Sequence, residues 1–389
     1  MSAFDLKKLF NTQRLESFFI PEKTRSVGID LGSNSIKIVE LEKKKEGIFL
    51  SNYAFIKIKN ANSLKGNVRY QASSEILKKV LRDLDWKIDS ANVAIPATSS
   101  LITTVDFWAS SDEEINQLIQ VEASKYIPIP LDEVIYGWKI ISNKKLSAEE
   151  TVANKFPEEK KEEDQEQEDG KEKEEDKKKV VIVAVMKEIS RRYEEVLSSC
   201  EIATDTLEVD VFSLARCLGQ EDKSLLILDL GQAATNLVVV SGGGPLLAKS
   251  IDFGGDRITD LIAHFLKIDF SRADKLKLEQ GLNMEPGEIK EGLATLLNTL
   301  KGEVLSAMEA FNRDFPAKPI EEVVLLGGGA SLLGLPEYLA GELKLTITKG
   351  NPFEKIVLPD KIKEKLLPSA NLFSVATGLA LLDLERKEK

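Results

Sequence analysis

The hydrophobic pattern of this chain switches period several times, and each switch marks an element. Residues 26–41 run as an apolar strand, a small polar turn and a second apolar strand. Residues 103–106 read as a strand. Asp112 is the expected N-cap of a helix reaching Tyr126, with Ile115, Leu118, Ile119 and Glu122 at helical spacing. Pro128 and Pro130 end it, because proline cannot continue the amide ladder. Residues 136–141 and 180–186 read as strands on either side of a charged run. A second strand–turn–strand segment starts at 225–229, and strands 237–240 and 246–251 flank the hairpin turn Ser241-Gly242-Gly243-Gly244. Helices are predicted over 257–266, 272–278 and about 293–311, and 323–326 is a buried strand entering Gly327-Gly328-Gly329. Near the start, Phe4, Leu6, Leu9, Phe10, Leu15, Phe18 and Phe19 stand among polar residues. They read as an amphipathic helix for a partner or membrane or, more plainly, as a tail packed on its own domain.

Two of these segments repeat one another. Val27-Gly28-Ile29-Asp30-Leu31-Gly32-Ser33-Asn34-Ser35-Ile36-Lys37 and Leu226-Ile227-Leu228-Asp229-Leu230-Gly231-Gln232-Ala233-Ala234-Thr235-Asn236 share an apolar strand, Asp-Leu-Gly, a small turn and the start of another strand. The duplication predicts two similar lobes facing each other. The residue types suit a polyphosphate, since a tight turn aims several backbone N–H groups at one point. Gly32 and Gly231 permit the turn; Ser33, Asn34, Ser35 and Thr235 add neutral donors, and Lys37 adds a positive charge. Asp30 and Asp229 suit Mg²⁺ held through water, because that ion keeps several of its waters. One Asp-x-Gly alone is an ordinary β-turn; two in matched strand contexts point to a ligand.

Three further places extend the site. Gly327, Gly328, Gly329 and Ala330 follow a hydrophobic strand and bring backbone close to a flat ligand such as a nucleoside. Gly254, Gly255 and Asp256 open a helix whose N-terminus would meet phosphate. Asp274 and Lys277 share a helix face and would meet ribose hydroxyls or form a surface charge pair. The stretch from Gly243 to Ser250 mimics a P-loop, but Ala248 replaces its second glycine and the segment runs along a strand.

Composition narrows the picture. The 389 residues are 42% hydrophobic and 30% charged, as in a soluble globular protein of two ordinary domains. A net charge of -11 counts against a nucleic-acid or anionic-membrane surface. Cys200 and Cys217 have no metal spacing, and the single histidine, His264, lies in an apolar helical pattern. No apolar run approaches the ~18–20 residues of a membrane span, and the N-terminus lacks a signal peptide's apolar region. The chain is therefore expected in the cytoplasm, held at any membrane by something else. The sharpest break is 158–179, where twelve of 22 residues are acidic and seven are lysine. Such a run cannot bury a core and is expected to be a disordered, solvated loop.

The ordered set of residues 30–37, 229–235, 254–256 and 327–330 resembles the actin–Hsp70–sugar kinase ATPase superfamily. Within it, residues 28–41, 122–134 and 210–216 are similar to the PilM family of type IV pilus assembly, relatives of the division protein FtsA. The resemblance covers roughly 26–381. It implies an α/β, actin-like (ribonuclease H-like) duplicated two-lobe ATPase fold with an FtsA/PilM-type extra subdomain, binding ATP and Mg²⁺. The expected parts are a tail (1–25), the first lobe core (26–90) and a partner-binding subdomain (91–207) with a charged insertion (143–179). The connection and second lobe (208–381) and a short tail (382–389) follow. The resemblance further implies binding of the cytoplasmic N-terminal segment of PilN, a bitopic inner-membrane protein, with Tyr126, Ile127 and Pro128 as groove candidates. Asp210 is the candidate water-orienting residue, or else a helix cap. Gln232, where many hydrolysing relatives carry an acidic residue or glycine, counts against fast hydrolysis. Asp274 in place of the usual Glu, and Gly378-Leu379-Ala380 without the Arg often found there, are further departures. The alternatives are an FtsA-like membrane-associated, filament-forming ATPase that self-associates and a small-molecule kinase of the same superfamily.

Overall fold

The computed structural model describes residues 23–58, 66–109, 111–141, 176–220, 222–242, 244–284, 287–316 and 318–385. The N-terminal tail before residue 23, most of the charged insertion and the last four residues lie outside them. The chain forms two compact units, 1–101 with 185–389, and 102–184.

The larger unit holds two five-stranded sheets of one design. In the first, β1 (Arg25–Leu31), β2 (Ser35–Lys44) and β3 (Gly47–Lys57) are antiparallel neighbours, and β4 (Ser90–Ile95) and β8 (Ala203–Val209) continue from β1 in parallel. In the second, β9 (Leu225–Leu230), β10 (Thr235–Ser241) and β11 (Gly244–Ile251) are antiparallel, and β12 (Glu322–Leu326) and β13 (Thr346–Lys349) continue from β9 in parallel. The orders β3-β2-β1-β4-β8 and β11-β10-β9-β12-β13 match strand for strand, so the duplication read in the turns extends to whole lobes. Parallel neighbours need a long crossover. In the first lobe α1 (Gly66–Asp83) supplies it between β3 and β4.

Strand β4 pairs in parallel with β1 on one side and with the edge strand β8 on the other. That places 90–95 and 203–209 in the first sheet. The second unit is therefore narrower than the 91–207 expected from sequence. It consists of β5 (Ser100–Ala109), α2 (Asp112–Tyr126), β6 (Val134–Ile141) and β7 (Asp176–Met186), in sheet order β5-β7-β6. Helix α2 buries Ile115, Ile119 and Ala123. Its N-cap is Ser111 and not Asp112: the Ser111 hydroxyl accepts the Glu114 amide at 3.2 Å, and Asp112 stands one place inside the helix. Strand β7 starts at residue 176, so the end of the expected loop is strand. Lys178 and Lys179 enter the sheet paired with Asp112 (2.7 Å) and Asp106 (2.9 Å).

From β7 the chain enters α3 (Lys187–Ser199), and from β8 it enters α4 (Asp210–Leu218). Helices α5 (Gly255–Leu266), α6 (Phe270–Gln280) and α7 (Gly287–Asp314) lead to β12; α8 (Leu335–Leu343) and α9 (Asp360–Leu366) follow. Helix α10 (Ser374–Leu384) then returns to the first lobe, backbone against backbone. A side chain at Gly28 of β1 would stand 2.0 Å from the Ala376 carbonyl oxygen, and one at Gly378 would stand 2.0 Å from that of Ser213 in α4. Near its end, Asp383 accepts the Asn92 amide at 2.9 Å and the Ser26 hydroxyl at 3.3 Å. The helical run 360–384 has the length and mean hydropathy, 1.3, that a membrane span needs, and 78% of its apolar window is buried in the protein, as in a core helix.

Candidate functional site

The two Asp-Leu-Gly turns sit at corresponding ends of β1 and β9. Among the described residues, the amides of Gly32, Ser33 and Asn34 in the first turn, and of Gln232, Ala233 and Ala234 in the second, donate to no protein acceptor. Unspent backbone N–H groups gathered in a turn are an arrangement that suits an anion. Strand register sets the next position: Lys37 lies opposite Asp30, and its repeat equivalent Asn236 opposite Asp229. The Lys37 ammonium bonds Asp30 at 2.9 Å. The Asn236 amide instead donates to Asp210 at 2.8 Å, and the Ala97 amide donates to the other Asp210 oxygen at 3.0 Å. Asp210, the first residue of α4, thus ties the loop after β4 to the second lobe.

Both turns, the three carboxylates, Lys37, Gly327 and Gly328 line one polar cavity of about 270 Å³. Burial pushes the Asp229 carboxyl up to about 6; Lys37 pulls it down and Asp30 pushes it up. Burial and the neighbouring Asp229 push Asp210 up to about 8, against the stabilising donors Asn236 and Ala97. Among the described residues no three acidic, histidine or cysteine side chains converge on a shared metal position. Direct ligation by Asp30 and Asp229 with a third protein group is thereby disfavoured, while an ion kept behind water and phosphate remains compatible with the donor set.

A second, mostly apolar cavity of about 300 Å³ adjoins the first. Asn34, Ser35, Phe55, Gly231, Gln232, Gly328 and Leu372 line both, so the two form one cleft, polar at one end and apolar at the other. Phe253, Ile258, Leu278, Leu332 and Leu335 supply the apolar walls.

The three glycines do different work. Gly327 has φ +72°, and a side chain there would meet Asp229 Oδ1 at 2.6 Å; one at Gly329 would meet the Leu230 side chain at 2.5 Å. A side chain at Gly328 would meet nothing within 4 Å. The outer two let the end of β12 lie on β9, and the middle one presents bare backbone to the cleft. Ala330 is 4% exposed and lines neither cavity.

Several expected ligand groups are spent inside the protein. The first amides of α5 do not face the cleft: Gly255 N–H donates to the Gly231 carbonyl at 3.0 Å and Asp256 N–H to that of Gln232 at 2.9 Å. Gly254 is needed for this contact, since its side chain would fall 2.4 Å from the Gln232 oxygen. The helix start therefore braces the second turn. The Gln232 side chain donates to Asp256, whose carboxyl burial raises. Thr235 is fully buried and its hydroxyl donates to the Phe253 carbonyl at 2.7 Å. Lys277 is not a surface cation: its ammonium bonds Asp274 at 2.7 Å, the Thr259 hydroxyl at 2.7 Å and the Gly255 carbonyl at 3.1 Å. Asp274 remains at the cleft wall, 3.9 Å from Lys57 of the other lobe. In the second unit, Tyr126 sets its ring edge-on to Phe107 at 5.7 Å, Ile127 is 2% exposed, and Pro128 is exposed.

Sequence reasoning missed Asn236, Asn371, Arg69 and Lys57. Aligning the two turns past Thr235 sets Asn236 on Lys37. Asn371 is a lone amide in an apolar stretch; it donates to the Gly327 carbonyl while its backbone oxygen accepts Gly327 N–H at 3.1 Å, and it is 1% exposed. No local pattern marks Arg69 or Lys57, which arrive from α1 and β3 only through the fold.

Comparison with known proteins agrees with this architecture. A family model described as Type IV pilus assembly protein PilM matches residues 28–155 and 156–384. The cell division protein FtsA of Staphylococcus epidermidis is 24% identical over 344 residues, 80% of this chain and 71% of FtsA. The solved PilM-PilN type IV pilus biogenesis complex contains a chain of like fold, with TM-score 0.75 at 22% identity over 94% of this chain and 100% of that one. Ethanolamine utilization protein EutJ from Carboxydothermus hydrogenoformans gives a TM-score of 0.51 at 17% identity, over 93% and 91%. The fold is the actin-like two-lobe α/β fold, and because the family match runs from the first phosphate turn to the last helix, the chain belongs to the PilM family of type IV pilus assembly proteins.

Proposed function

We propose that the chain is an ATP-binding adaptor of the type IV pilus assembly machinery, at the cytoplasmic face of the inner membrane, which takes the N-terminal cytoplasmic segment of a PilN-like protein. One observation carries the nucleotide reading: two turns from opposite lobes offer unspent backbone amides to one cavity, beside the bare backbone of Gly328. The amides of residues 32–34 and 232–234 bind phosphate oxygens from both sides, and Lys37 adds positive charge. Asp30 and Asp229 hold Mg²⁺ through water, and the ion supplies charge neutralisation between the phosphates and these carboxylates. The apolar cavity takes the nucleoside, with Asp274 at its polar rim. A ligand that touches both lobes favours one arrangement of them, which is how binding would act at a distance. Slow or absent hydrolysis is supported by Gln232, which stands at the second turn and is held on Asp256.

The partner reading rests on family membership and on the complex that its solved relative forms. Tyr126 and Pro128 of the second unit are retained as groove residues; Ile127 is buried. The deciding measurement is a titration with a labelled PilN-like N-terminal peptide, with and without Mg-ATP. Saturable binding that strengthens with nucleotide supports the adaptor. A protein that binds ATP and ignores the peptide in both states loses that role and keeps the fold.

A further inference from the structure

We propose that Arg69 reads the terminal phosphate of the bound nucleotide and gives the cleft its preference for triphosphate over diphosphate. The inference rests on the nucleotide reading above and adds a residue that no motif marks. Arg69 stands in the first turn of α1 and lines the polar cavity with both phosphate turns, but it does not line the apolar one. A nucleotide whose base occupies the apolar cavity sends its phosphates away from it. Arg69 lines the cavity that those phosphates enter.

Charge makes the same assignment. Asp30 and Asp229 already face this cavity, beside an Asp210 carboxyl that burial raises to about 8, and a triphosphate adds more negative charge. Lys37 is committed to Asp30 at 2.9 Å. Arg69 has no ion-pair partner among the described residues, and the first turn of α1 holds no acidic residue to neutralise it. Its planar fork can bond two oxygens of one phosphate, which a lysine cannot reproduce.

The test is calorimetric titration of the whole chain with Mg-ATP and with Mg-ADP, for the parent protein, R69Q and R69K. R69Q is expected to weaken ATP by about ten- to a hundredfold, the range of a charge-assisted bond, while ADP changes by less than about threefold. R69K is expected to recover part of the loss. The retained ADP affinity reports that the variant is folded. Equal weakening of ATP and ADP, or no change in either, overturns the proposal and leaves the nucleotide reading intact. A parent protein that binds neither nucleotide overturns both.

Discussion

At the residue scale, Gly328 separates binding from folding. Its side-chain space is open on the protein side, so Gly328→Val is expected to keep the melting temperature within a few degrees while abolishing detectable ATP binding. Gly327→Ala acts on the fold as well. It forces a side chain into the left-handed region and onto Asp229, and should cost about 1–3 kcal/mol in a urea titration. Asp210 gives a pH signature. Its folded carboxyl is raised to about 8, so the apo protein is favoured while the group stays protonated. Stability from this group is lost as pH rises from its ordinary value towards 8 and levels off above. The melting advantage of Asp210→Asn over the parent should therefore widen between about pH 5 and pH 8 and stay constant beyond; a gap that narrows with pH would show the carboxylate to be the favoured form. Residue types in the turns were legible because phosphate chemistry restricts them. The spent groups were not: a sequence shows that Thr235 and Lys277 have donors, but their acceptors, Phe253 and Gly255, come from packing.

At the element scale, the join between α4, β8 and α10 carries the first lobe. Arg216 donates to both oxygens of the fully buried Glu208 and, at 2.8 Å, to the Gly378 carbonyl; Ser213 adds a bond to Glu208 at 2.7 Å. Removing one partner strands a buried charge, so Arg216→Ala should lose about 3–5 kcal/mol by denaturant titration. A loss under about 1 kcal/mol would mean that water reaches Glu208. The elements around the two turns were readable, while α1, α3, α4 and the segments after β12 were not. Helix α2 ends where the proline run requires, and β9 to β12 follow the apolar runs. Strands β4 and β8 were not read from sequence, and the resemblance carried their stretches into the inserted subdomain, because boundaries taken from a family do not say which sheet a buried strand joins. The start of α5 was misread for a related reason: a helix N-terminus offers amides to any acceptor, and here the nearest is the second turn.

At the scale of the whole molecule, the two lobes repeat one topology, while the second unit is inserted between β4 and β8 of the first. Its charged segment joins β6 to β7. Long surface connections cost little free energy. Replacing 142–175 with a short Gly-Ser linker should then leave stability within about 1 kcal/mol and ATP affinity unchanged. A large fall in melting temperature would assign that segment a structural role. The deletion must stop at 175, since Lys178 and Lys179 hold Asp112 and Asp106.

The return of α10 to Gly28 has a consequence for how the chain is made. The second sheet draws its strands from 225–349, a continuous stretch that can close while synthesis is still under way. The first sheet cannot: it awaits β8 from residues 203–209, and its bare glycine face on β1 stays uncovered until 374–384 have left the ribosome. The half of the protein translated first is thus the half completed last, and a released chain truncated after residue 373 should show protease resistance in its second lobe ahead of its first.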